Sequence, residues 1–316
     1  MDVPSVPPKG VWCPAVTFFD PETDELLLDD QAAYYKYLSQ SGLTGLVVLG
    51  TNAETFLLSQ TERKALIQTA RRAVGPDYPI MAGVSGHSTK QVLDYLFDAH
   101  AAGANYALIL PPGYFPNATT PAVIDAFFDE IAIKSPLPVV LYNFPAVCNG
   151  VDLDSATIER LATKHRGKFV GVKLTCGSVA KITRLAAKLP QTDFAIFGGQ
   201  SDFLLGGLSV GSAGCIAAFA NVAPGVISRI YKLYWEEKSD EALALHYKAA
   251  LAEQSCKAGI GSVKYAASLH SARKAGIKDP EVKMMPRPPY VEVSQAVKDK
   301  MVAELAEILA IENTIN

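Results

Sequence analysis

Paired cysteines are missing from this chain. Its five, Cys13, Cys148, Cys176, Cys215 and Cys256, are odd in number and scattered without C-x-x-C spacing, which excludes a dense disulfide framework and fits a reducing compartment. Missing too is any basic excess: 29 Lys and Arg stand against 32 Asp and Glu, a formal net charge of -3 that offers little to a phosphate backbone. No stretch approaches the length of a membrane span, and prolines at positions 4, 7 and 8 interrupt the place where a secretory leader needs an apolar core. Charged residues are only 19% of the 316, against 49% hydrophobic, so disorder is excluded and a large core is within reach. Together these absences predict a soluble cytoplasmic protein with no nucleic-acid partner and no membrane partner.

What is present is a repeated couplet of a short apolar run and an amphipathic segment. Val11 to Phe19 precedes Asp29 to Gln40. Leu46 to Gly50 precedes Ser59 to Val74, which opens on the capping box Ser59-Gln60-Thr61-Glu62. Pro79 to Ser85 precedes Ser88 to Ala102, Tyr106 to Leu110 precedes Pro121 to Lys134, and Leu137 to Tyr142 precedes Leu153 to His165. Phe169 to Lys173 precedes Ser178 to Lys188, Phe194 to Phe197 precedes Ser201 to Ser209, and Gly214 to Ala218 precedes Ala223 to Glu236. Strands apolar on both faces and alternating with amphipathic helices demand a parallel sheet covered on its outside. Eight couplets match the α/β (β/α)8 TIM barrel over residues 1–237, with a C-terminal helical extension over 238–316. Helical spacing there covers Asp240 to Cys256, Ser262 to Ala275 and Ser294 to Ile311, and Pro286-Arg287-Pro288-Pro289 marks a break before the last helix. A doubly wound open sheet is the competing fold. The first βα turn carries no G-x-G-x-x-G, which counts against it.

A barrel places its chemistry at the carboxyl ends of the strands, and here those ends are polar: Gly50-Thr51-Asn52-Ala53-Glu54, Tyr142-Asn143-Phe144-Pro145, Lys173 and Gly198-Gly199-Gln200. No His, Asp, Glu and Cys cluster has metal-ligand spacing. Lys173, closing the apolar run Phe169-Val170-Gly171-Val172, is either a snorkelling strand-end cation or a desolvated amine that attacks a carbonyl and forms a Schiff base. Tyr142 is either a packed aromatic cap or a proton shuttle.

The strand ends resemble those of the pyruvate-dependent class I aldolases related to dihydrodipicolinate synthase and N-acetylneuraminate lyase. Gly50-Thr51-Asn52-Ala53-Glu54, Tyr142-Asn143-Phe144-Pro145 and Gly171-Val172-Lys173 stand in the family's order on the matching strands, and Ala220-Asn221-Val222 follows the eighth. The resemblance implies that Lys173 is the Schiff-base lysine, Tyr142 the proton shuttle and Thr51 its relay. Thr51 and Asn52 then hold the pyruvyl carboxylate, while Ile216 and Gly199 face the substrate. Tyr114 matches a second tyrosine that the family donates from a neighbouring subunit, which implies a homotetramer built from two tight dimers. No separate cofactor is implied, because the protonated imine formed with pyruvate on Lys173 is itself the electron sink. His87 and His100, which lack partner spacing, are set aside as structural.

Partner substrates are then pyruvate, or the 2-oxo acid that releases it, and an aldehyde. The loop Ala146-Val147-Cys148-Asn149-Gly150 lacks the arginine that dihydrodipicolinate synthases typically carry for the semialdehyde carboxylate, which lowers that alternative. What remains is a lyase cleaving a 2-keto-3-deoxy sugar acid, such as 2-keto-3-deoxy-L-galactonate, or 4-hydroxy-2-oxoglutarate. Neutral Cys148 and Asn149 tilt the expectation toward sugar acids. A silent barrel that only binds a sugar acid is the alternative of another class, disfavoured because a binder gains little from a buried amine beside a phenol.

Overall fold

A computed structural model describes residues 6–315, so the lead up to Ser5 lies outside it. Strands β1 (Gly10–Pro14), β2 (Gly45–Val48), β3 (Ile80–Gly83), β4 (Tyr106–Ile109), β5 (Val139–Asn143), β6 (Phe169–Leu174), β7 (Ala195–Gly198) and β8 (Gly214–Ile216) pair in parallel in chain order, and β8 closes on β1. Between and after them run α1 (Leu28–Gln40), α2 (Gln60–Val74), α3 (Thr89–Ala101), α4 (Pro121–Lys134), α5 (Ser155–Lys164), α6 (Val179–Lys188), α7 (Leu204–Leu208) and α8 (Pro224–Trp235). Every residue of all eight strands is buried, as a sheet covered on both sides requires. The expected (β/α)8 barrel is the fold. The capping box on α2 forms as read, with Ser59 accepting from the Glu62 N–H and Glu62 accepting from the Ser59 N–H.

Two boundaries move for local reasons. The first strand ends at Pro14 rather than Phe19, because a proline has no N–H for the ladder. Beyond it the buried backbone is satisfied by side chains instead: Val16 N–H donates to Asn221 Oδ1 at 3.1 Å and Phe18 N–H to Gln31 Oε1 at 3.0 Å. The segment read as one helix from Ser262 to Ala275 breaks at His270 (φ -135°, ψ -73°) into α10 (Ile260–Leu269) and α11 (Ser271–Lys274). They follow α9 (Ser239–Gln254) and precede α12 (Pro280–Lys283) and α13 (Gln295–Ile315). Helices α9 and α13 pack on α8, and α10 packs against the turn that follows β8.

Alternate strand residues divide between two cores. Trp12, Val47, Met81, Tyr106, Val140 and Phe197 fill the barrel, with Trp12 meeting Tyr106 and Phe197 edge-on at 6.1 and 6.2 Å. Their neighbours face the helices. One strand breaks this alternation. Val139 pairs with Phe169 but Val140 pairs with Gly171, so β6 holds one extra residue there. The bulge resets the phase of the strand. Val170 points into the barrel, and after the extra residue so does Lys173, whereas unbroken alternation from Val170 would have sent the lysine outward. Only glycine fits at 171, because a Cβ there would stand 2.6 Å from the Ala195 carbonyl oxygen.

The appended helices are tied to the barrel by a buried ion pair. Glu54, in the left-handed region (φ 57°) after β2, accepts from Lys264 Nζ of α10 at 2.6 Å and from the Arg287 N–H at 2.7 Å, with both charged side chains essentially inaccessible. Burial pulls the Lys264 ammonium below its ordinary pKa and Glu54 opposes it. Arg287 in turn pairs with Asp24 and Glu62 at 2.9 Å each. The proline-flanked break before the last helix is therefore a clamp. Removing one partner leaves the other charge buried and unpaired, so Lys264→Met should cost about 3–5 kcal/mol in chemical denaturation. The double change Lys264→Met with Glu54→Gln should recover part of that loss, and a single variant as stable as the parent would refute the clamp.

Candidate active site

Parallel pairing of β5 with β6 sets Tyr142 directly opposite Lys173. Both side chains are 3% exposed. Lys173 Nζ lies 3.2 Å from the Tyr142 hydroxyl and 4.3 Å from its ring centroid, and the same hydroxyl lies 3.2 Å from Thr51 Oγ1. A chain of three exchangeable groups thus runs amine, phenol, alcohol.

Lys173 and Tyr142 stand on strands and Thr51 on the turn after β2, and the loops that follow are tethered. Asn143 fixes the end of β5 by donating to Asp152 at 2.7 Å and accepting from the Leu153 N–H at 2.8 Å. Lys181 closes the same corner by pairing with Asp152 and donating to the Leu153 carbonyl at 2.8 Å. Asn221 links the ends of β1 and β8, donating to the Pro14 and Ala218 carbonyls at 2.9 Å. Two asparagines of the recurring motifs are thus braces, which explains their place beside the chemistry. Thr51 and Asn52 begin the short turn after β2, held by Leu49 at φ 65° and Glu54 at φ 57°. That turn closes on Gly83, where a Cβ would collide with the Leu49 carbonyl oxygen at 1.9 Å.

A cavity of about 730 Å³ opens over these strand ends. Thr51, Asn52, Tyr142, Lys173 and Gly199 all line it. Gly199 gives its N–H to the Leu174 carbonyl at 3.0 Å, so that donor is spent within the backbone. Two expected site residues do not line it. Ile216 is a fully buried barrel residue paired with Trp12. Tyr114 is 64% exposed on the loop after β4 and belongs to an aromatic strip, with ring centroids 5.5 Å from His87 and 4.9 Å from Phe115, and His87 stacks on Phe56 at 5.3 Å. His87, set aside on sequence, is part of this strip.

The loop on which the tilt to sugar acids rested is also out of place for it. Cys148 is buried beneath Gly113, and Asn149 spends its amide on the Gly113 carbonyl at 2.8 Å, so neither lines the cavity. Sequence reading missed what does. Thr175, two residues past Lys173, lines the cavity, while its hydroxyl, buried and with no partner among the described residues, is packed so closely on Gly199 that a Cβ there would lie 2.1 Å from Thr175 Oγ1. The period of two along β6 was the available signal. Much of the remaining wall comes from the segment after the barrel, through Glu253 of α9, Lys257 in the turn that follows it, Ser262 of α10 and Val293 just ahead of α13, for which no sequence signal existed. Glu253 accepts from Ser201 Oγ at 2.5 Å and its N–H at 3.3 Å, and His246 Nε2 donates to the Ser201 carbonyl at 2.8 Å. No cluster of three His, Cys, Asp or Glu among the described residues is placed to hold a metal, and no described helix is long and apolar enough to cross a membrane.

A closed parallel barrel whose mouth holds an inward lysine against a tyrosine defines a carbon–carbon lyase of the barrel type. The chain belongs to the dihydrodipicolinate synthetase family, whose model matches residues 7–308. It is 63% identical over 310 residues, 98% of each chain, to the Coccidioides immitis (strain RS) protein named "Putative 4-hydroxy-2-oxoglutarate aldolase, mitochondrial". It is 37% identical over 253 residues, 77% of this chain and 79% of the other, to the L-threo-3-deoxy-hexylosonate aldolase of Hypocrea jecorina. A crystal structure of a dihydrodipicolinate synthase family protein from Coccidioides immitis superposes with a TM-score of 0.95 at 60% identity, covering 100% of both chains. The expectation of a cytoplasmic protein is corrected here: the Coccidioides relative, alike over nearly its whole length, is named mitochondrial. Composition could not show this, since a near-neutral chain without paired cysteines suits either compartment.

Burial pushes the Glu253 carboxyl up from its ordinary value of 4.5 to about 7. A folded pKa above the unfolded one means that Glu253 supports the fold fully below about pH 4.5 and that this support is lost as pH rises through 7. Glu253→Gln mimics the protonated form. Its melting temperature should match the parent near pH 4.5 and exceed it at pH 8, by an amount on the order of 3 kcal/mol in stability. A difference that stays constant between those pH values would sink this assignment.

Proposed function

We propose that the protein is a Schiff-base aldolase that reversibly cleaves a hydroxylated 2-oxo acid, a 2-keto-3-deoxy sugar acid or 4-hydroxy-2-oxoglutarate, to pyruvate and an aldehyde. The observation that carries this is the placement of the Tyr142 hydroxyl 3.2 Å from both Lys173 Nζ and Thr51 Oγ1. The Lys173 amine adds to the keto carbon and water leaves, giving an iminium. Tyr142 takes the proton of the C4 hydroxyl, the C3–C4 bond breaks, and its electron pair moves into the iminium to leave an enamine and a free aldehyde. Protonation of the enamine at C3 and hydrolysis by water release pyruvate and restore the amine. Thr51 relays the proton, and Thr51 with Asn52 holds the carboxylate next to the keto group, at a turn that presents backbone N–H groups. No other cofactor enters this scheme. The named compartment of the Coccidioides relative supports a mitochondrial site of action.

Borohydride reduction in the presence of pyruvate should add the reduced pyruvyl mass to Lys173 alone. An unmodified Lys173 under conditions that keep the enzyme active would end the Schiff-base reading. Tyr142→Phe keeps the ring packing and removes the hydroxyl, so turnover should fall about a hundredfold or more while melting is little changed. Near-parental turnover would move the proton transfer to Thr51 or to the substrate's own carboxylate.

The working unit in this reading is a homotetramer of two tight dimers. Phe56, Tyr114 and Phe115 are 50%, 64% and 69% exposed side by side, an apolar strip that a second copy of the chain covers. Tyr114 then reaches the partner's site, which explains why it misses its own. Mixing Lys173→Ala chains with Tyr114→Phe chains under subunit exchange should restore activity, because mixed dimers regain one complete site. If native mass spectrometry shows mixed dimers and no activity returns, Tyr114 is not shared.

A further inference from the structure

The proposed cleavage puts the leaving carbonyl at the Tyr142 hydroxyl, so whatever that carbonyl carries must lie beside the Tyr142 ring. The neighbouring ring there is Phe144, whose centroid stands 6.0 Å from that of Tyr142 at an interplanar angle of 33° and which lines the same cavity. Val147 follows from the short turn after β5 (Pro145–Val147). Tyr290 and Val291, from the stretch ahead of α13, and Val297, from its first turn, continue the lining. Val147, Tyr290 and Val291 are 44%, 63% and 80% exposed, so they hold apolar surface open to water. Apolar side chains gathered on a concave wall are the usual makings of a binding surface. The charged side chains on this lining, Lys173 apart, are engaged elsewhere: Glu54 by Lys264, Glu253 by Ser201 and Lys257 by Asp202. Gln200 accepts from Lys257 at 3.3 Å. A volume of about 730 Å³ leaves room well beyond pyruvate itself.

We infer that Phe144, Val147 and Val291 form an apolar subsite for the aldehyde half, and that the protein has a further activity: it cleaves 4-hydroxy-2-oxo acids whose C4 carries a neutral, ring-sized apolar group. This rests on the proposed chemistry at Lys173, which holds the keto end of the same molecule. The step balances as before. The C4 hydroxyl gives its proton to Tyr142, the C3–C4 bond breaks, its electron pair passes into the iminium, and an apolar aldehyde leaves along the Phe144 side. In the reverse direction the enamine adds to that aldehyde. Removing the exposed apolar faces of Val147 and Val291 from water favours such a substituent, whereas a buried oxygen on it would meet no donor from these three side chains.

The test uses two synthetic acids, 4-cyclohexyl-4-hydroxy-2-oxobutanoate and its analogue with a tetrahydropyran-4-yl ring in place of cyclohexyl. The rings have nearly the same shape, and the second carries an ether oxygen that an apolar wall leaves without a donor. With pyruvate release read by chromatography, the parent should show a kcat/KM about tenfold or more higher for the cyclohexyl acid. Val147→Thr combined with Val291→Thr keeps the branched shape and adds hydroxyl donors, so that ratio should fall about threefold or more. A lost fold or a loosened wall would instead lower both rates together and leave the ratio unchanged, which would overturn the inference. So would a parent that cleaves the two acids equally or does not cleave the cyclohexyl acid. Borohydride trapping with pyruvate on the same preparation reads Lys173 by itself. Trapping without cleavage of the cyclohexyl acid would remove the subsite and keep the Schiff-base reading; preferential cleavage without trapping would do the reverse.

Discussion

The extra residue in β6 is the constraint on which the site depends. A β-strand shows alternate faces, so a lysine three positions beyond an inward valine belongs outside unless the phase is reset. The bulge at Val170–Gly171 resets it, and Gly171 permits it by letting the strand pass against the Ala195 carbonyl. With the phase reset, Lys173 faces Tyr142 across one step of the ladder. The Lys173 amine is thus aimed by backbone pairing, the stiffest part of the molecule, and by no flexible loop.

Around that fixed pair the loops are braced rather than packed. Asn143, Asn221 and Glu54 each sit near the end of a strand and each satisfies backbone or charged groups of another segment. Buried polar groups with complete partners hold one geometry, because any displacement strands a donor or acceptor in a dry interior. The exceptions are informative. Thr175 and Ser262, on opposite sides of the barrel–helix boundary, line the cavity while their hydroxyls are buried with no partner among the described residues.

Much of this could be read from the sequence. Strands buried on both faces appear as continuous apolar runs, so their number and order were plain, and polar residues stood out where the runs ended. Lys173, Tyr142, Thr51, Asn52 and Gly199 were found in this way and do meet at one cavity. The bulge was hidden, because glycine in a strand does not announce a change of register. Ile216 and Tyr114 were carried over by position alone, and burial in one case and exposure in the other keep them off the cavity of their own chain. The wall beyond Glu253 was out of reach for another reason. Its link to the barrel, Lys264 to Glu54, spans 210 residues, and no periodicity in a helix reports what lies against it across such a distance.

That distance separates two tasks. In the proposed scheme bond breaking belongs to Lys173 and Tyr142, on strands, where a shift of one position turns a side chain to the other face. The far wall is carried by helices that follow the eighth couplet, where a substitution changes a surface and leaves the ladder intact. Natural selection can therefore retune which aldehyde the barrel releases by editing the last quarter of the chain, while the amine, phenol and alcohol are inherited untouched. Relatives that share the strand ends should accordingly diverge in diet faster than in chemistry, with the helices that follow the barrel recording the change.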